Sequence, residues 1–187
     1  MQYRNSKNGY GVVSRALHWG MALAIFGMFG LGVWMRTLTY YSPYYKIAPD
    51  LHKSIGLVLL ALLVARFIWR LVNPAPDDGY LRPIERKASH LLHLAFYGLL
   101  VVLMAAGFMI STVDGRGIVV FGLFEIPSVY AQKGLEDVVG FIHAWLAYVL
   151  IAFAALHATA ALKHHFIDRD VTLLRMLRGD PKKLTQP

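Results

Sequence analysis

The last long apolar run of the chain, residues 138–165, constrains the fold more than any other segment. It carries no charged residue between His143 and His157, and about 20 apolar residues suffice to cross a bilayer as a helix. The two histidines are 14 residues apart. That spacing is close to four whole turns, so both rings leave one helix face, roughly 21 Å apart along the axis. Because imidazoles are costly in hydrocarbon without a partner, the run predicts two ligand positions stacked across a membrane.

The rest of the chain supplies three further long apolar segments. Of its 187 residues, 57% are hydrophobic and the mean hydropathy is +0.48, well above soluble usage. The sequence therefore predicts an all-α fold, an integral membrane four-helix bundle that forms a single domain over residues 1–187. The predicted spans cover residues 16–35, 51–71, 89–110 and 138–164. Another apolar stretch, residues 118–126, is too short to cross and is expected to lie at the interface or to fold back.

Composition also narrows the chemistry. The chain has no cysteine, which excludes disulfides, zinc–cysteine sites, iron–sulfur clusters and thiol nucleophiles. Its net charge of +8 would suggest nucleic-acid binding in a soluble protein. Here the basic residues flank apolar blocks, which favours a role in membrane topology, so no nucleic-acid partner is expected.

The distribution of lysine and arginine predicts the orientation. An even number of spans puts both termini on one side, and that side holds 14 of the 19 basic residues. The positive-inside rule then places both termini in the cytoplasm. The remaining five basic residues belong to the outer side: Arg36, Lys46, Lys53, Arg116 and Lys133.

With this orientation, the histidines sort by depth. His52 opens the second span and His143 lies near the outer end of the fourth, so these two are the candidates for an outer bis-histidine site. In the cytoplasmic half, His157 pairs with either His18 or His93, and spacing alone leaves both choices open. Three more histidines lie at or beyond the cytoplasmic interface: His90, His164 and His165.

Haem iron is the species that best bridges such facing imidazoles, because axial histidines on neighbouring helices hold the macrocycle edge-on inside a bundle. Small residues near the candidates, such as Gly20, Gly56 and Gly140, leave room for the ring. Zinc is a weaker interpretation, since it wants four ligands at one point, usually with cysteine or carboxylate. A purely structural role for these histidines, hydrogen-bonded in the core or at the interface, is the remaining alternative.

The order of these motifs resembles the prokaryotic cytochrome b561 family, small four-span dihaem proteins of the bacterial inner membrane. The similarity runs from about Tyr10 to Met176. Its specific points are Leu17-His18-Trp19, His52, Arg66 with Arg70, His90-Leu-Leu-His93, the spacing from His143 to His157, Lys163-His164-His165, and Asp170 to Met176.

The resemblance implies two haems b, an inner one on His18 and His157 and an outer one on His52 and His143. It also implies electron exchange with ubiquinone, and one activity of the family is superoxide oxidation, in which electrons enter at the outer haem and end on quinone. We expect that chemistry here, in the bacterial inner (cytoplasmic) membrane. His164, or its neighbour His165, is the candidate proton donor at the quinone site.

One feature counts against superoxide as the donor. An anionic substrate is drawn in by positive charge, yet the five basic residues of the outer side are matched by five acidic ones. Lys53, beside His52, is the candidate for a local positive mouth. The alternative function is a cytochrome b electron-transfer subunit that anchors a partner dehydrogenase, for which residues 117–134 form the candidate docking segment. A homodimer and surrounding membrane lipid complete the expected partners.

Overall fold

The computed structural model describes residues 2–180 and contains five helices and one short hairpin within them. Four of the helices are long: α1 (Val12–Met35), α2 (Ile47–Val72), α3 (Pro83–Thr112) and α4 (Glu136–Phe166). The strands β1 (Ile118–Val120) and β2 (Phe124–Ile126) lie between α3 and α4, and the short helix α5 (Thr172–Leu177) follows α4. The architecture is thus almost entirely α-helical, as the sequence predicts.

Each long helix is apolar and long enough to cross a membrane. In their most apolar windows only 6–17% of residues are buried within the protein. An exposed apolar surface of this extent suits lipid rather than water. The helices begin and end one to six residues beyond most of the predicted spans, because polar ends such as Pro83–Lys87 continue the helix outside the apolar core.

Local chemistry explains where these helices start and stop. Pro83 occupies the first position of α3, where a missing N–H costs nothing. The first turn of α4 carries Glu136 and Asp137, and its last turn carries Lys163 with two histidines. Acidic residues at the amino end and basic residues at the carboxyl end both complement the helix dipole.

Contacts group the described chain into two compact units, each built around one segment of every long helix. The first unit comprises residues 2–22, 62–96 and 152–180, and the second comprises residues 23–61 and 97–151. Each long helix therefore contributes one part to each unit. The candidate histidines divide in the same way, with His18, His93 and His157 in the first unit and His52 and His143 in the second.

In the first unit, polar contacts tie the segment before α1 to the end of α2. The side chain of Asn5 donates to the carbonyls of Asn73 (3.2 Å) and Pro74 (2.9 Å) and accepts from the hydroxyl of Ser14 (2.8 Å). Helix α5 is fastened to α1, because the indole N–H of Trp19 donates to the Met176 carbonyl at 3.0 Å. This hydrogen bond attaches α5 to Trp19, the residue that follows His18 in the sequence.

In the second unit, the segment after α3 forms an antiparallel hairpin. Its turn places both Phe121 (φ 49°) and Gly122 (φ 76°) in the left-handed region, as a type I′ turn requires. Phe121 pays a steric cost there, and its N–H donates to the buried hydroxyl of Ser54 at 3.0 Å. The apolar stretch 118–126 thus folds back on itself, one of the two outcomes expected from its length.

Candidate haem sites

The histidines of the second unit face each other between α2 and α4. The ring centres of His52 and His143 lie 6.2 Å apart. A metal–imidazole bond is about 2 Å long and the nitrogen lies about 1.1 Å from the ring centre, so two imidazoles across one metal ion place their centres roughly 6 Å apart. The observed separation matches that arrangement.

His143 is also oriented for ligation. Its Nδ1 lies 2.9 Å from the carbonyl oxygen of Leu103 on α3. Because a carbonyl only accepts, Nδ1 must carry the proton, and Nε2 is then left with a free lone pair. A hydrogen bond from the second ring nitrogen to a backbone carbonyl is the usual way in which proteins hold a metal-ligating histidine.

The first unit brings together the three histidines that the sequence predicts for the cytoplasmic half of the membrane. The ring centre of His157 lies 6.2 Å from that of His18 and 5.5 Å from that of His93. His93 is also near the Ser89 hydroxyl, at 3.4 Å from Nδ1. The distance between the ring centres of His18 and His157 equals that between His52 and His143. The ring of His93 lies closer to His157 than the roughly 6 Å expected for two imidazoles on one metal ion.

One contact in the first unit must change before His18 can ligate a metal through Nε2. The guanidinium of Arg66 lies 3.3 Å from His18 Nδ1. Arginine only donates, so Nδ1 accepts in this arrangement and the proton of the neutral ring lies on Nε2. Ligation needs the other tautomer, with Arg66 turned away and free to pair with an anionic group such as a propionate.

Two carboxylates from the segment that follows α4 lie close to His164, which is in the last turn of that helix. Its Nδ1 lies 2.9 Å from both Asp168 and Asp170. Asp168 also binds the ammonium of Lys163 at 2.7 Å, and Lys163 in turn binds Glu85 at 2.9 Å. Glu85, His164 and Asp168 have the spacing of a metal site, but Lys163 already binds both carboxylates and Arg82 is a second cationic partner of Glu85, so a further cation has little to gain there.

The other two histidines of the cytoplasmic end have different surroundings. His90 is exposed, and its Nε2 makes a hydrogen bond with Asp78 at 2.8 Å on the surface. The ring of His165 lies against Phe166, with centres 4.8 Å apart.

Lys53 lies beside His52, as its sequence position dictates, but it is not a free positive charge. Its ammonium is 3.4 Å from the carboxylate of Asp50, one turn earlier on α2. A second basic residue of this unit, Arg116, is bound to Asp114, and its hydrogen bonds lower the pKa of that carboxyl. Each basic side chain is thus matched by a neighbouring carboxylate, so neither residue forms an isolated positive mouth.

Two glycines that the sequence did not single out lie against the second unit's imidazoles. A Cβ added to Gly107 would come within 2.9 Å of His143, and one added to Gly32 within 3.2 Å of His52. Gly20 and Gly140, expected to make room near the ligands, have open space where a Cβ would lie, and a Cβ at Gly56 would make ordinary contact with Met28 at 3.8 Å. No sequence signal marks Gly32 and Gly107, because each lies on a different helix from the histidine it contacts.

A sequence profile of the family described as prokaryotic cytochrome b561 matches residues 9–179. The chain belongs to this family. A cytochrome b561 of this kind is a multi-pass protein of the bacterial inner membrane that carries out transmembrane electron transfer. Membership also implies haem b as the cofactor, and the paired imidazoles described above fit that group.

Individual relatives support the same assignment. The chain is 46% identical over 179 residues to cytochrome b561 homolog 2 of Escherichia coli K12, covering 95% of each chain. It is 33% identical over 150 residues to the probable superoxide oxidase CybB of Yersinia pestis, covering 76% of this chain and 78% of that one. Cytochrome b561 homolog 1 of Escherichia coli K12 is 27% identical over 136 residues, or 71% of this chain and 76% of the relative.

Proposed function

We propose that this cytochrome b561 transfers electrons from superoxide, at the outer face of the inner membrane, to ubiquinone at the cytoplasmic face. The observation that carries the proposal is the repeated geometry of its histidines, one pair in each unit with ring centres 6.2 Å apart. Both termini are proposed to lie in the cytoplasm, which follows from the distribution of lysine and arginine.

The proposed ligands are His52 with His143 for one haem b and His18 with His157 for the other. Haem b, when bound, supplies a one-electron carrier at each pair. The chain's own contribution is to hold the imidazoles, set their tautomers and exclude water. The Leu103 carbonyl does this for His143. His93 is left as a neighbour of the inner pair, because its ring is closer to His157 than a shared iron allows.

At the cytoplasmic end, His164 is the proposed proton donor to the quinone. It lies seven residues after His157, close to two turns, and therefore on the same face of α4. Asp168 and Asp170 each place a carboxylate oxygen 2.9 Å from its Nδ1, without hydrogen-bond geometry, so a turn of the ring would let either carboxylate hold it and hand on a proton from the cytoplasm. Nε2 is then the nitrogen that meets the substrate.

The proposed reaction is balanced by two superoxide anions per quinone. Each superoxide loses one electron and leaves as dioxygen, and the quinone gains both electrons with two cytoplasmic protons to become quinol. The similarity to the Yersinia pestis relative named as a probable superoxide oxidase supports this donor. Lys53 is next to His52 of the outer pair but forms a salt bridge with Asp50. Because the carboxylate offsets its positive charge at a distance, we assign Lys53 a local role in attracting the anion.

A second candidate function, an electron-transfer subunit for a partner dehydrogenase, is favoured by one observation. The segment between α3 and α4 exposes several large apolar side chains, among them Leu123 (80%), Val129 (82%) and Tyr130 (54%). Apolar side chains at this density are typical of a surface that another protein covers.

The test uses the purified holoprotein alone, a steady source of superoxide and a soluble quinone analogue. The proposed function predicts quinol formation, with two superoxide anions consumed per quinol, and its loss in His52→Ala. The matched control is His90→Ala, which removes an exposed histidine bound to Asp78. Haem that is reduced by quinol but not by superoxide would favour the electron-transfer subunit instead. A preparation without haem would contradict both.

A further inference from the structure

We propose that Gly107, with Gly32 in a lesser role, is a positioning residue for the outer histidine pair. Its missing side chain lets the imidazole of His143 lie against the backbone of α3, where the ring tautomer that a metal needs is selected. The inference rests on the proposed assignment of His52 and His143 as ligands.

The first support is the contact between Gly107 and the ring. A Cβ at residue 107 would lie 2.9 Å from Cε1 of His143, 3.2 Å from Nδ1 and 3.9 Å from Nε2. Carbon atoms at the first of these distances overlap. The ring therefore turns its Cε1–Nδ1 edge to the glycine, and Nε2 is the nitrogen farthest from it.

The second support is the hydrogen bond made in the same place. The Leu103 carbonyl that accepts from His143 Nδ1, at 2.9 Å, is four residues before Gly107. In a regular helix it also accepts the N–H of residue 107. One turn of α3 thus provides both the acceptor that fixes the proton on Nδ1 and the space that lets the ring reach it.

Gly32 stands in a similar relation to His52, but with weaker constraints. A Cβ there would lie 3.2 Å from Cε1 and 3.8 Å from Nδ1 of His52. The Nδ1 atom is buried and has no hydrogen-bond partner among the described residues. Gly32 therefore supplies space without an acceptor, and its replacement should have the smaller effect.

The energetic consequence depends on whether the imidazole is free to move. Without a metal, the His143 side chain can turn about its own torsions and make room for a methyl group. With Nε2 bound to iron, that freedom is lost, and the overlap must be relieved by weaker or tilted ligation. The cost of a methyl group at residue 107 thus falls on haem binding and not on folding of the apoprotein.

The experiment compares Gly107→Ala and Gly32→Ala with Gly98→Ala and Gly30→Ala. The two controls are glycines of α3 and α1 in the same unit, and a Cβ at either meets no described atom within 4 Å. The readouts are haem per chain, the electron paramagnetic resonance g values of the ferric low-spin haems, and the ¹⁵N shifts of His143 in the apoprotein. The melting temperature of each apoprotein is measured as well.

For Gly107→Ala we expect outer-haem retention to weaken by about tenfold, with shifted g values for the outer haem and an unchanged inner haem. Gly32→Ala should show the same changes to a smaller extent, and both controls should match the wild type. Apo Gly107→Ala should fold normally and lose the Nδ1–H signature of His143.

Wild-type haem content and g values in Gly107→Ala would overturn the inference, and so would failure of its apoprotein to fold. His143→Ala separates this from failure of the ligand assignment. If His143→Ala keeps the outer haem, the proposed ligands are wrong. If His143→Ala loses that haem while Gly107→Ala behaves as wild type, only the role of Gly107 fails.

Discussion

The ring centres of His18 and His157 lie 6.2 Å apart, on segments of α1 and α4. The same distance separates His52 from His143 in the second unit. Imidazoles in the core of a protein ordinarily pack by stacking or hydrogen bonding with their neighbours, and neither requires a repeated separation. Two imidazoles that hold one metal ion between them do require a fixed separation of their ring centres. The equal distances in the two units are the physical basis for the predictions that follow.

We predict that each ligand substitution removes one haem and spares the other. His52→Ala and His143→Ala should each lower haem per chain by about half and leave the inner haem reducible by quinol, because each proposed site would need both of its imidazoles to hold a haem. Pyridine haemochrome assays with quinol titrations measure this. His90→Ala, which alters an exposed histidine, should retain full haem content. Equal loss of both haems in either variant would contradict independent sites.

The inner pair is tested by comparing His18→Ala with His93→Ala. Both rings lie near His157, but only that of His18 shares the separation of the outer pair. His18→Ala should therefore lose the inner haem, whereas His93→Ala should keep it, with at most a small change in its spectrum. Optical spectra of quinol-reduced protein report the result. The opposite outcome would assign His93 as the ligand.

Replacing His164 should slow quinone reduction without affecting haem content. His164→Gln keeps a hydrogen-bonding side chain but has no proton to donate at neutral pH, and general acid catalysis contributes about 100-fold or more. We expect a fall of that order in the rate of quinol formation, with reduction of the haems by superoxide unchanged. Asp170→Asn, which removes one carboxylate at 2.9 Å, should produce a smaller fall. Stopped-flow traces that match the wild type would remove His164 from the mechanism.

Ser54 is predicted to hold the hairpin after α3. Its hydroxyl donates to the Asp50 carbonyl at 2.9 Å and accepts from the Phe121 N–H at 3.0 Å. Ser54→Ala leaves that N–H without its acceptor, which costs about 1–3 kcal/mol, so hydrogen exchange of residues 118–126 should accelerate. The control is Thr159→Ala, which removes a hydroxyl that donates to the Ala155 carbonyl of its own helix. Unchanged exchange in the hairpin would show that Ser54 does not anchor it.

Much of this protein follows from its sequence because the relevant signals are local. Four long apolar runs separated by charged loops predict four membrane helices, and their bounds in the structure exceed the predicted ones mainly where polar turns extend a helix. The spacing of His143 and His157 predicts two levels of ligands, because helix periodicity alone determines which side chains share a face. The haem ligands themselves, the ubiquinone site and the orientation remain predictions.

Only the tertiary structure decided the relationships between residues of different helices. It placed the ring centres of His52 and His143 6.2 Å apart and the Arg66 guanidinium 3.3 Å from His18. It formed the hairpin at residues 118–126 and set Gly107 against the ring of His143. The physical reason is that periodicity fixes the direction of a side chain around its own helix axis, whereas the rotation of one helix against another depends on packing along the whole interface.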